Sequence, residues 1–200
     1  SLFMGLGTGA TVMISQFYGA GDKESLRKTV ATIYNAILVG AVPLTILGIL
    51  LAGPLLRMMN VPEDAYGMAR TYVMVVFAGV VGNLGYNVNA GILQGLGNSR
   101  TTLLFLSIAC VINIVLDLVF VIVFSWGVMG VALATIIAQF CSWLFGIFYI
   151  NNHYKEIRIR PFHWDFDRHL FGRAMKLGIP SGIQQALFSV GVMVLQTLIN

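Results

Sequence analysis

Long apolar runs separated by short polar breaks set the pattern of this chain. Predominantly apolar stretches at 29–55, 68–93, 102–124, 128–150 and 178–200 each reach the length of about 20 residues with which a helix crosses a hydrocarbon core. Residues 2–18 form a further, shorter run. The pattern predicts an all-α polytopic membrane protein. The breaks at 94–101 and 125–127 are too short for anything but antiparallel neighbouring helices. Pro43 falls in the middle of its run, removes one main-chain hydrogen bond and is expected to bend that helix.

Glycines recur at the spacing that lets helix backbones approach each other. Gly5 and Gly9, Gly91 and Gly95, and Gly178 and Gly182 are each four apart, a small-residue pattern that favours close helix packing in lipid. The segment from Gly5 to Gly9 is not a nucleotide loop, because no strand precedes it and no Lys-Ser/Thr follows. Two runs end alike, at Gln16-Phe-Tyr-Gly19-Ala-Gly21 and at Gln94-Gly-Leu-Gly97-Asn-Ser. Glycines there can take the left-handed conformation that stops a helix.

The break at 151–177 is different: longer, polar and basic, with Pro161, Phe162, His163, Trp164 and Phe166. From Asp167 to Lys176 an amphipathic helix is expected, with Asp167 as N-cap and Leu170, Phe171 and Ala174 on one face. It would lie in the membrane interface. The simplest organisation is a membrane lobe over 1–150, a linker over 151–177, and the first helix of a second lobe over 178–200.

Composition agrees with a bilayer. The chain is 58% hydrophobic and 10% charged, against about 25% charged in soluble domains. Ten of the twelve Lys and Arg lie in the breaks at 19–28, 94–101 and 151–177, which fall on one side by alternation. The positive-inside rule makes those three loops cytoplasmic, in a plasma (inner) membrane. The net charge of +4 therefore reflects topology and gives no reason to expect nucleic acid as a partner. The chain begins with Ser1 and stops at Asn200 inside apolar runs, so a fragment of a longer protein is expected. Cys110 and Cys141 sit in neighbouring spans and are expected as unpaired packing residues.

Against that background one residue stands out. Asp117 is the only acid inside the run 102–124, where a carboxylate costs about 2.5–3.5 kcal/mol near a helix centre. Asn113 precedes it by four residues and shares its helix face. Thr135, on the next span, lies at nearly the same depth. Asn83 and Asn87, again four apart, share a face with Gln94 on the span 68–93, while Asn89 points elsewhere. Carboxylate, amide and hydroxyl oxygens suit a proton or a hard cation such as Na⁺. Asp117, Asn113, Thr135, Asn87 and Asn83 are thus candidates for a coupling-ion or substrate site, with no cofactor and no resident metal expected.

Five motifs in order, QFYGAGD (16–22), GILQGLG (91–97), NIVLD (113–117), WGVMGVALAT (126–135) and GIPSG (178–182), make the chain resemble the multidrug and toxic compound extrusion (MATE) transporters. The resemblance implies a twelve-helix protein of two six-helix lobes. This chain would run from the second helix to the seventh, without the first helix and most of the second lobe. It implies export of small organic cations or hydrophobic drugs in exchange for H⁺ or Na⁺, by a protein expected to be monomeric. In one branch of the family an N-lobe site joins an Asp of the first helix to an Asn and Asp of the fifth and a Thr of the sixth. Asn113, Asp117 and Thr135 match the latter three, and Asn87 is the nearer match to an Asn of the fourth helix. The related alternative is a lipid-linked oligosaccharide flippase, which would favour a basic cavity, and no Lys or Arg lies deep in a span. An enzyme is not expected. A membrane aspartyl protease needs two buried acids, and His153, His163 and His169 all fall in the long break.

Overall fold

The structure is a computed structural model that describes residues 2–157, 159 and 166–199. Pro161, Phe162, His163 and Trp164, singled out in the long break, lie outside the described residues, as do Arg158 and Arg160. Seven α-helices follow in order: α1 (Leu2–Ala20), α2 (Lys23–Met58), α3 (Glu63–Ala78), α4 (Val80–Gly95), α5 (Ser99–Leu118), α6 (Val128–His153) and α7 (Arg168–Ile199). A π-helical turn, Val119–Val123, extends α5. Among the described residues there is no strand.

Five helical stretches are long and apolar enough to cross a membrane, Lys23–Met58, Glu63–Gly95, Ser99–Val123, Val128–His153 and Arg168–Ile199, one for each expected run. The second is shared by α3 and α4. Gly79 between them keeps near-helical angles, φ −77° and ψ −9°. Its N–H bonds the Val75 and Val76 carbonyls at 3.1 Å, and its own carbonyl accepts from Asn83 N–H at 3.1 Å, so the backbone ladder is handed on inside the span. α2 runs unbroken through Pro43 and Pro54.

The two look-alike ends stop their helices by the same device. Gly21 and Gly97 take left-handed φ of 72° and 80°. Asp22 N–H bonds Phe17 O at 3.1 Å and Asn98 N–H bonds Leu93 O at 2.8 Å, the six-to-one bond of a Schellman stop. Asp22 then opens α2 by accepting the Ser25 N–H at 3.1 Å. Hydrogen bonds from Ser25, the side chain first and the main chain second, hold the Asp22 carboxyl below its ordinary value.

The chain divides into two compact units, one of residues 1–36, 90–98 and 150–200, the other of 37–89 and 99–149. In the first, Met13, Ile14, Leu26, Ile33, Ile92, Leu93 and Ile150 are fully buried. The glycine pairs act here as their spacing suggests. A Cβ on Gly5 would stand 2.5 Å from Gly178 O, and one on Gly95 2.8 Å from Ile14 Cγ2, so α1 takes α7 on one side and α4 on another. The segment after α6 folds back through Asn151, whose Nδ2 donates to Ile159 O at 3.1 Å and whose Oδ1 accepts Ile159 N–H at 2.7 Å. Ile157 and Ile159 are buried, two apolar anchors in a stretch that reads as polar.

The expected interfacial helix over 167–176, followed by a separate span from 178, is replaced by one continuous helix. Asp167 does cap it, accepting His169 N–H at 2.9 Å and Leu170 N–H at 3.3 Å. Leu170, Ala174, Gly178 and Gly182 form its buried face. Their regular four-residue spacing keeps one stripe on α1 across both segments, so nothing turns the chain at 177.

In the second unit α4 and α6 interlock through missing side chains. Gly79, Gly82 and Gly85 leave room for Ile136, Phe140 and Trp143 of α6, and Gly146 of α6 leaves room for Asn89. Asn89 is buried, and its Nδ2 donates to Trp143 O at 2.9 Å. A methyl at Gly146 would occupy the place of that carboxamide nitrogen. Gly146→Ala is expected to destabilise the protein by about 1–3 kcal/mol through overpacking, read as a lowered Tm of the purified full-length protein in detergent. An unchanged Tm would show the Asn89 clasp to be dispensable.

Candidate functional site

The second unit also holds the polar group read from the sequence. Asn113 and Asp117 stand one turn apart on α5, and Thr135 reaches them from α6. Thr135 is exposed, while Asn113 and Asp117 are half-buried, so the group is open on one side. The Asn113 carboxamide is the bridge, and its neighbours fix which way round it lies. Its Nδ2 donates to Asp117 Oδ2 at 3.0 Å, and its Oδ1 accepts from the Thr135 hydroxyl at 3.0 Å and from the Thr135 N–H at 3.2 Å. The reverse orientation would set the amide oxygen against the carboxylate and the amide nitrogen against the Thr135 N–H.

The amide thus ties the carboxylate on α5 to Thr135 on α6. Asp117 Oδ1 is buried without a hydrogen-bond partner, an orphan acceptor whose position suits a proton or a cation.

The other candidates are placed differently. Asn87 Nδ2 donates to Asn83 Oδ1 at 2.9 Å and to Asn83 O at 2.8 Å. These two amides satisfy each other along α4 and are not joined to Asp117 by any hydrogen bond described. Asn89, set aside because it faces away from them, is the buried amide of α4. The interior of α6 also holds Ser142 Oγ and Trp143 Nε1 as buried polar atoms without partners. Nothing in the sequence marks them, since serine and tryptophan are ordinary in spans. Cys110 and Cys141 are unpaired. Among the described residues no three His, Cys, Asp or Glu side chains gather as a metal site.

The π-helical turn begins two residues after Asp117. Phe124 N–H bonds Val119 O at 3.2 Å, five residues back. Phe120 packs where a side chain on Gly130 would sit, with its Cβ 2.9 Å from that point. Phe120, Phe124 and Trp126 form an aromatic group, Phe124 stacked on Trp126 at 5.0 Å and Phe120 at 5.0 Å from the same ring. The wider turn keeps all three rings together at the end of α5.

The MatE family profile matches residues 1–119. The probable multidrug resistance protein YpnP of Bacillus subtilis is 32% identical over 210 residues, which cover 100% of this chain and 44% of that protein. Two solved structures of a multidrug resistance MATE transporter of the MOP superfamily superpose well. One, described as outward-facing, gives a TM-score of 0.86 at 28% identity over 98% of this chain and 44% of its own. The other, described as inward-facing, gives 0.81 at 28% identity over 92% and 42%. The chain spans less than half the length of the relatives it matches.

The Asn113 bridge predicts a specific coupling. Asn113→Leu leaves the Asp117 carboxyl without its donor and is expected to cost about 1–3 kcal/mol, measured by thermal unfolding of the full-length protein at neutral pH. In an Asp117→Leu background the same change should cost clearly less. Equal losses in both backgrounds would show that the two side chains do not interact.

Proposed function

We propose that this chain, which belongs to the MatE family, forms part of a cation-coupled antiporter that exports organic cations or hydrophobic drugs across the plasma membrane. The family is one of transporters, and the chain is a multi-pass helical membrane protein. The observation that carries the reading is the Asn113–Asp117–Thr135 group, a lone membrane carboxylate with one oxygen paired through an amide and the other buried without a partner. Its companions in transport are the bilayer and a small organic cation, in a protein that acts as a monomer.

The coupling follows from charge. An ionised Asp117 attracts a cationic drug, and a proton competes with the drug for the same oxygens. Protonation removes the charge and weakens the bond that the Asn113 amide donates to Asp117, which changes the hydrogen bonding between α5 and α6 and favours release on the side opposite the basic loops. One proton moving through 100 mV supplies about 2.3 kcal/mol, which shifts a two-state equilibrium roughly 50-fold. The relatives solved in inward- and outward-facing forms support a cycle in which the site opens alternately to each side, with the basic loops in the cytoplasm.

Asp117→Asn in the full-length protein is expected to abolish export of a fluorescent organic cation driven by an imposed pH gradient in vesicles, with protein level and thermal stability retained. Wild-type export by that variant would remove Asp117 from coupling. A sodium gradient at constant pH is expected to drive none; robust sodium-driven export would replace the proton as the coupling ion.

A further inference from the structure

The turn between α2 and α3, on the side opposite the basic loops, borders a cavity of about 690 Å³ lined by Arg57, Asn60, Val61, Pro62, Glu63 and Tyr66. That volume falls within the range of about 300–1,000 Å³ typical of small-ligand sites. The backbone fixes its shape. Asn60 takes a left-handed φ of 54°, which asparagine tolerates better than most residues. Its N–H bonds Arg57 O at 3.2 Å, and Val61 N–H bonds Leu56 O at 3.4 Å, which stops α2. Pro62, at φ −56° and ψ 143°, then leads into α3, and its carbonyl accepts Ala65 N–H at 3.0 Å.

The side chains are held as firmly. Tyr66 is half-buried and lies across α2 at Gly53, where its hydroxyl stands 3.1 Å from the place of a Cβ. The Arg57 guanidinium, one turn beyond Gly53, lies 5.8 Å from the centre of the Tyr66 ring. Arg70, one turn beyond Tyr66, brings its Nε to 3.9 Å from the same point on Gly53. Glu63 and Asp64 stand in the first turn of α3, where the helix dipole favours carboxylates. Among the described residues none of these two cations and two acids takes part in an ion pair.

Opposite charges that line one cavity without pairing leave room for a ligand that carries both. The guanidinium fork of Arg57 matches phosphate oxygens, and the Glu63 carboxylate accepts from an ammonium. The four charges sum to zero, which suits a zwitterion better than an anion. Position narrows the choice further. Lys23–Met58 and Glu63–Gly95 are both long and apolar enough to span, so the turn between them falls at headgroup level. Met58, next to Arg57, is 79% exposed and offers an apolar contact to acyl chains. Arg57 already occupies the Tyr66 ring, so a trimethylammonium group would lack that aromatic face and has no N–H to give Glu63. A primary ammonium has three.

We propose that this cavity is a site for a bilayer lipid with a phosphoethanolamine headgroup, its phosphate on Arg57 and its ammonium on Glu63, in the leaflet away from the basic loops. The bound lipid ties the end of α2 to the start of α3. The site shares no residue with the Asp117 group and holds whether or not transport is coupled to a cation.

Native mass spectrometry of the full-length protein tests this, in dodecyl maltoside micelles containing equal amounts of dioleoyl phosphatidylethanolamine and dioleoyl phosphatidylglycerol. The wild type is expected to retain one phosphatidylethanolamine, with a severalfold preference over phosphatidylglycerol and, in a parallel mixture, over phosphatidylcholine. Glu63→Gln removes the partner of the ammonium and should erase that preference. Arg57→Gln should lose the bound lipid. Phosphatidylethanolamine should also raise the Tm of the wild type and leave that of Arg57→Gln unmoved. If Arg57→Gln fails to fold, the headgroup preference of Glu63→Gln decides. The proposal is overturned by an unchanged preference in Glu63→Gln, or by equal retention in wild type and folded Arg57→Gln. Binding of phosphatidylglycerol or phosphatidylcholine as well as phosphatidylethanolamine by the wild type would also overturn it. A Tm rise of the same size from free phosphoethanolamine would overturn the lipid as its source.

Discussion

Helices in lipid gain nothing from hiding apolar side chains, because the lipid is as apolar as they are. This chain brings its helices together by removing side chains where backbones cross. Gly79, Gly82 and Gly85 admit α6 side chains to α4, Gly5 and Gly9 admit the backbone of α7 to α1, and Gly91 and Gly95 admit α1 side chains to α4. Each crossing gives up a side chain for close contact with the neighbouring helix, main chain on main chain between α1 and α7 and main chain on side chain at the other two, where many weak attractions add up. The apolar residues that remain fix which faces meet.

Two kinds of polar contact are then distributed with different consequences. The Asn89 bond to Trp143 is buried and bridges α4 to α6 through a site that only Gly146 leaves open; it acts as structural glue. The Asn113 group is similar in composition but open on one side, and it contains a carboxylate. Because a carboxamide offers a donor at one end and an acceptor at the other, Asn113 joins the carboxylate on α5 to the hydroxyl and N–H of Thr135 on α6.

On the side of the basic loops, polar contacts organise the chain between α6 and α7. The Asn151 side chain pairs with the Ile159 backbone as a strand partner would, and Lys23 pairs with Glu156 at 2.6 Å. Asn98 Nδ2 donates to the Tyr154 hydroxyl at 3.2 Å. Burial of Ile157 and Ile159 beside these contacts turns a hydrophilic connection into an anchored one. The start of α7 is held separately by the Asp167–Thr32 bond, while its far part has few buried residues.

The spans, their number and the rarity of Asp117 were determined by sequence alone, since the hydrocarbon core imposes a minimum apolar length and penalises any charge within it. The pairing of Asn113 with Asp117 followed from helical periodicity, and the two left-handed glycine stops from the absence of a Cβ. Tertiary structure decided the rest. It made Asn89 rather than Asn83 or Asn87 the buried amide of α4, because neighbouring-helix packing determines which face is interior. It extended α7 back to Arg168, because a stripe of small residues continued across a boundary that composition alone placed at 177. It also brought Thr135 within reach of Asn113, since equal depth on two helices becomes a hydrogen bond only when their facing sides coincide.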